Sequence, residues 1–213
     1  MVELMAVIAI VVVLMATLFP VFASARRTAY STSCLSNLRQ LGTSVSIYQN
    51  DYDDYYPQMV DAIDRAKPSI WSSHPDWQSR IPNMEDMPAA LRDYGARAQV
   101  FRCPRDLGAT FLYEHLFNFP NGIYNAFGSS YAYNTTLAFK ELTESSLEDV
   151  AFSIVLHDMA GCWHGLGSAI TKGDSSDSAR DKIEDYRYNT FFADGHARSL
   201  TSDQLQGDYA GGP

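Results

Sequence analysis

The chain has 213 residues, 46% of them hydrophobic and 19% charged, which excludes intrinsic disorder and suits one ordinary domain with an appendage. A formal net charge of −9 leaves no broad basic face, which excludes duplex nucleic acid as a main partner. Three cysteines are too few for a scaffold built from disulfides.

The apolar residues are concentrated at the start. Leu4–Ala25 is a run of 22 uncharged positions, interrupted in its apolar character only by Thr17, Pro20 and Ser24. As helix it measures roughly 33 Å, enough to cross a bilayer core of about 30 Å. The whole-chain mean hydropathy is only −0.19, so the remainder must be polar, a soluble domain on an apolar stalk. A secretory signal would open on basic residues, whereas no Lys or Arg precedes Arg26. Beyond the apolar run the helical pattern continues. Tyr30, Cys34, Leu38, Leu41, Val45, Tyr48 and Tyr52 form one stripe at steps of three and four, with Ser31, Asn37, Ser44, Ser46 and Gln49 off it. Gly42 costs about 1 kcal/mol within that stripe without breaking its register. The predicted helix runs to about Asp53, ending before Tyr56-Pro57.

Residues 58–128 carry Pro, Asn, Asp, Trp and Met with little periodicity apart from a short helix at about Pro88–Tyr94. They read as a long connection ordered by aromatics such as Trp71, Trp77, Phe101, Phe111 and Tyr113. Strand-like segments follow at Ser129–Asn134, Ala151–His157 and Thr190–Leu200, the last with an Asp194-Gly195 hairpin signal. The expected organisation is an apolar helix at 1–25, its amphipathic continuation at 26–53 and a globular domain at 54–213. Within that domain 54–128 connects, 129–200 forms the sheet and 201–213 is a loose tail. The fold class is α+β, a long N-terminal helix packed on a small antiparallel sheet.

The segment VELMAVIAIVVVLMATLFPVFASARR resembles the N-terminal segment of type IV pilins and of the pseudopilins of type II secretion. In that family a glutamate and a proline stand 17 residues apart, as Glu3 and Pro20 do here. CLSNLRQLG at 34–42, YQNDYDDYYP at 48–57, FRCPRD at 101–106, SSYAYN at 129–134 and FFADGH at 191–196 resemble, in order, the hallmarks of one of its subgroups. Two features depart from the pattern. Only Met1 and Val2 precede Glu3 where the family has four mature residues, so the chain is expected to start about two residues late. The subgroup's histidine, nine residues before its last Asp-Gly, is replaced by Glu184, beside Arg187-Tyr188-Asn189.

The resemblance implies a pilin-like roll and a non-enzymatic structural subunit that polymerises through its N-terminal helix into a type IV pilus-like filament. Its implied partners are copies of itself, the inner-membrane assembly machinery and a prepilin peptidase, with N-terminal methylation after processing. Its implied place is the inner membrane and then the cell surface. A periplasmic pseudopilin of type II secretion is the alternative within the family. Glu3 is expected to neutralise a neighbour's terminal amine, because a carboxylate at membrane depth costs about 3 kcal/mol without a partner. Pro20 cannot donate to the Ala16 carbonyl. An extended residue spans about 3.3 Å against 1.5 Å in helix, so a non-helical stretch within Val12–Phe19 is expected in such an assembly. Thr17 is the hydroxyl placed to satisfy a freed carbonyl.

Chemistry-bearing residues are sparse. No GxSxG, P-loop or GxGxxG occurs, and no cofactor is expected. His157, Asp158, His164 and His196 are the residues a membrane-anchored metalloenzyme would use, although HExxH and CxxC spacings are absent. Asp174, Asp177 and Asp181 lie in an oxygen-rich segment suited to calcium, an ion the resemblance also implies, but they lack the D-x-D-x-D-G order. Cys34 and Cys103 read either as a disulfide closing a loop of about 69 residues, a link of roughly 4 kcal/mol, or as two buried thiols. Asn134-Thr135-Thr136 is a formal glycosylation sequon.

Overall fold

A computed structural model describes residues 2–111, 117–119, 121–171 and 173–210. Helix α1, Val2–Asp51, is 50 residues and about 75 Å long. Two short elements, β1 (Met59–Val60) and α2 (Ala62–Ala66), lead to α3 (Pro75–Arg80), β2 (Glu85–Asp86) and α4 (Met87–Ala90). The hairpin β3 (Ala109–Phe111) and β4 (Phe117–Phe119) and helix α5 (Ile123–Phe127) precede the main sheet. That sheet contains β5 (Tyr131–Tyr133), β6 (Ile154–Asp158), β7 (Arg187–Phe192) and β8 (Ala197–Thr201) in the order of the chain, every neighbour antiparallel. Helix α6 (Thr135–Phe139) follows β5, α7 (Ser176–Glu184) precedes β7, and α8 (Ser202–Ala210) closes the described chain. A long helix on a small antiparallel sheet is thus the architecture.

The second half of α1 packs on one face of the sheet. Cys34, Leu38, Leu41 and Val45 are buried there with Tyr131, Tyr133, Leu156 and Phe191. Phe192 and Leu200 point to the other face and pack with Leu205 of α8, as the alternation of a strand requires. The segment expected as a loose tail therefore contains a docked helix, a correction carried by Leu205. Gly42 permits the close approach of helix to sheet. A Cβ added there would lie 2.1 Å from the tip of the Phe191 ring. Helix α1 ends at Asp51, two residues earlier than expected. Asp53 and Asp54 take left-handed φ values of 49° and 64°, which Asp tolerates better than most residues, and the Asp54 N–H closes on the Gln49 carbonyl at 2.9 Å.

The quoted motifs meet around α1. Asn37 donates to the Arg102 carbonyl at 2.9 Å and to the Tyr131 hydroxyl at 3.1 Å, joining three of them. Asp106 accepts from the Ser130 hydroxyl and from the backbone N–H groups of Ile123 and Tyr124. Ser130 Oγ in turn accepts from the Cys103 N–H. Arg39 reaches the Ala197 carbonyl beyond the FFADGH turn.

Three further expectations are corrected. Ser44 and Gln49 are buried although they lie off the apolar stripe, with Ser44 bonding back to the Gln40 carbonyl and Gln49 to that of Asp54. The connection contains several short helices, for which four to six residues are too few to show a period. Trp71 and Trp77 order it with His74 and Phe139 in an aromatic cluster, and Phe101 is buried, while Tyr113 lies outside the described residues. Helix α1 also runs unbroken through Pro20, so the non-helical stretch within Val12–Phe19 is absent. A single chain has no axial neighbours to offset lost helical hydrogen bonds, and the Thr17 hydroxyl donates to the Leu14 carbonyl rather than to that of Ala16.

Gly42→Ala gives a direct check on the helix–sheet contact. Alanine favours an isolated helix by about 1 kcal/mol, but the clash with Phe191 is overpacking of the kind that costs about 1–3 kcal/mol. Urea titration should show the variant less stable than wild type; a gain in stability would mean that Phe191 moves aside freely.

Candidate functional site

Two regions of the molecule stand out: the bare half of α1 and a buried polar cluster beneath its other half. From Leu4 to Phe22, fourteen large apolar side chains among the described residues are exposed, from 42% for Val11 to 73% for Met5. Covering all of them would be worth roughly 20–40 kcal/mol at about 1.5–3 kcal/mol per side chain. Water is the wrong solvent for this surface. Glu3 sits in its first turn, and Pro20 lies within it. The change of character comes near Arg26, whose guanidinium donates to the Tyr30 hydroxyl at 2.9 Å. Four residues later Cys34 is fully buried.

The buried cluster is built from distant parts of the chain. Cys34 on α1 is joined by a disulfide to Cys103, with Cα atoms 5.2 Å apart. His164 follows a short 3-10 turn at Gly161–Trp163, and its Nε2 lies 3.4 Å from Cys103 Sγ and 3.3 Å from Asp158 Oδ2. Asp158, at the end of β6, is fully buried, and the same Oδ2 accepts the Asn189 N–H at 2.8 Å. Burial pushes its carboxyl well above the usual carboxylate range. Burial, helped by the nearby Arg105, lowers His164 to about 4. Burial thus disfavours the charged form of both partners. Cys162, the free thiol, is half-buried, and burial pushes it up to about 11, which makes it a poor nucleophile.

Of the four residues a metalloenzyme would use, Asp158 and His164 alone meet in this cluster. Strand alternation turns His157 to the opposite face, where burial lowers it to about 4 and its Nδ1 lies 2.7 Å from the Asp158 carbonyl. His196 is at the hairpin turn, stacked on Phe192 and held by Asp194 at 2.5 Å. Asp174, Asp177 and Asp181 do not converge among the described residues. The Lys182 ammonium, 2.7 Å away, and the Thr171 N–H hold Asp174 down at about 2, while Asp177 and Asp181 are exposed on α7. The sequon asparagine, Asn134, is buried, donating to the Ile154 carbonyl and capping α6.

A second buried pair, Asp61 and Asp64, was not foreseen from the sequence. Both line a cleft of about 690 Å³ with Trp71, Tyr133 and His157. Asp61 caps α2 through the Ile63 N–H, and Asp64 accepts from the Trp71 indole at 2.9 Å. Burial, with the Asp64 charge adding to it, pushes Asp61 up to about 7. The one hint in the sequence is the cap position, Asp before an Ala-Ile pair.

Comparison of the chain with protein-family models, curated proteins and solved structures finds no match to any of them.

Two measurements follow from this geometry. Peptide mapping without reduction should recover Cys34 linked to Cys103, with Cys162 alkylated; three alkylated cysteines would refute the pairing. Asp61 keeps its proton in the folded state and loses it at lower pH when unfolded. Its contribution to stability is therefore complete below about pH 4 and falls away as pH rises through 7. Asp61→Asn preserves the helix cap and should flatten that decline between pH 4 and 8 in denaturation curves. A variant that follows the wild-type profile would contradict the assignment.

Proposed function

We propose that this protein is a structural subunit that polymerises through α1 into a type IV pilus-like filament, with the remainder folded as a pilin-like roll outside the filament core. The observation that supports this most is the division of one continuous helix. Its N-terminal half presents apolar side chains on every side, whereas its second half buries a single stripe in the sheet domain. A membrane anchor needs only the first of these. A rigid rod locked to a globular domain is what a helical bundle of many copies requires, since each bare helix then supplies the cover its neighbours lack.

In this reading the subunit first sits in the inner membrane, where a prepilin peptidase processes it, and then moves to the cell surface among copies of itself. Glu3 pairs with the terminal amine of an adjacent subunit within the apolar core, where either charge alone would cost several kcal/mol. The resemblance of VELMAVIAIVVVLMATLFPVFASARR and the later motifs to the pilin family points the same way. The scattered positions of His157 and His196 give no support to a catalytic reading.

Glu3→Ala tests the proposal. The variant should accumulate in the membrane fraction at wild-type level while filaments disappear from electron micrographs of the cell surface. Wild-type filament yield from the variant, or surface filaments lacking this chain, would overturn it.

A further inference from the structure

The cleft beside α2 has no part in the assembly proposed above. Asp61 and Asp64 both line it, and each is only 8% exposed. Asp61 accepts from the backbone N–H groups of Ile63 at 2.9 Å and Tyr133 at 3.3 Å, and Asp64 accepts from the Trp71 indole at 2.9 Å. All three donors are neutral dipoles. Among the described residues neither acid has a cation within ion-pair distance. His157 lines the same cleft, but burial lowers it to about 4 and so disfavours its charged form. Tyr133 has no positively charged form. Buried carboxylates are as a rule paired with a cation, so two of them on one cleft without a counter-charge call for a reason.

We propose that this cleft binds a small primary alkylamine in its ammonium form, with the nitrogen at Asp61 and Asp64 and the alkyl body along the apolar walls.

The walls and the acids each select part of this ligand. An ammonium has three N–H donors and no acceptor, which matches carboxylate oxygens with lone pairs to spare. Burial pushes both acids upward, and the Asp64 charge helps to bring Asp61 to about 7, because nothing in the cleft offsets their negative charge. A cation placed at both favours the two carboxylates together, and the proton that Asp61 held passes to solvent as the ligand enters. The Trp71 ring, beside Asp64, adds the attraction of an aromatic quadrupole for the same charge. Ile63, Ile70, Met159 and Leu205 supply the rest of the wall with apolar surface. That surface suits a carbon chain and not the water shell of a magnesium ion. The cleft volume of about 690 Å³ lies within the roughly 300–1,000 Å³ usual for small-molecule sites. The ordering of α2 serves the site, since the cap at Ile63 and the indole at Trp71 fix both carboxylates before any ligand arrives.

The test is equilibrium dialysis of the full chain in detergent micelles, with empty micelles as the blank and radiolabelled n-butylamine as the probe at pH 7. Wild type should bind one equivalent of the amine. It should bind 1-butanol, of nearly the same shape but without the charge, about tenfold more weakly or worse, a comparison that needs no variant. Asp61→Asn, which keeps the helix cap, and Asp64→Asn should each weaken amine binding about tenfold or more. Asp203→Asn, which removes an exposed acid of α8, should leave binding unchanged. Absence of amine binding by wild type overturns the proposal. So does equal binding of the alcohol, wild-type binding by both Asp61→Asn and Asp64→Asn, or an equal loss in Asp203→Asn.

Discussion

Everything in this molecule depends on the contact of Cys34, Leu38, Leu41 and Val45 with the face of the sheet. Over its first thirty or so residues nearly every described side chain of α1 is exposed, so among the described residues the helix takes hold of the domain from about Ser31 onward. Its rigidity is useful only if the buried portion fixes its direction. Four apolar residues at helical spacing do so, and Gly42 brings the helix axis close enough for Phe191 to lie against its backbone. The polar pins around this seam, such as Asn37 to Arg102 and Tyr131, set rotation about the axis where apolar contact alone would tolerate sliding. Asp106 extends the same network away from the helix, ordering the turn that holds Cys103.

How much of this was legible in the chain varies with distance along it. The amphipathic half of α1 could be read because its period of three and four is sustained from Tyr30 onward. The Asp194-Gly195 turn could be read because few residues accept the left-handed φ that Gly195 adopts. The short helix expected at about Pro88–Tyr94 is present as α4 and a 3-10 turn at Arg92–Tyr94, whereas the helices around Trp71 and Trp77 could not be read, since their order comes from the Trp71–Trp77–Phe139 cluster rather than from any local pattern. Ser44 and Gln49 were misplaced for a related reason: a polar residue beside an apolar stripe can be buried if its hydroxyl or amide finds a backbone carbonyl.

The sites show the same limit more sharply. Glu3 is conspicuous as the one acid in an apolar run, so composition alone marks it. Asp158 and His164 were noticed only as neighbours in a short segment. The Cys103 sulfur that His164 meets stands 61 positions away, and the FRCPRD turn is held beside them through Ser130, next to β5, which pairs with β6. Asp61 and Asp64 carried no comparable signal, because their character arises from burial against Trp71 and Tyr133. Strand alternation separates His157 from Asp158 although they are adjacent in sequence, which dissolves the cluster that the residue string suggested.

The placement of the disulfide has a mechanical consequence. A pull along the axis of α1 loads the seam in shear, and apolar contacts between a helix and a sheet slide under shear more readily than a covalent bond breaks. The link lies at Cys34, at the end of the seam nearest the bare stalk. Tension arriving down the helix therefore reaches a covalent bond before Leu38, Leu41 or Val45. From Cys103 it passes into the turn held by Asp106 and Ser130, and so into β5 at the edge of the sheet and on to β6. The sheet carries the load as a body instead of losing its helix one turn at a time.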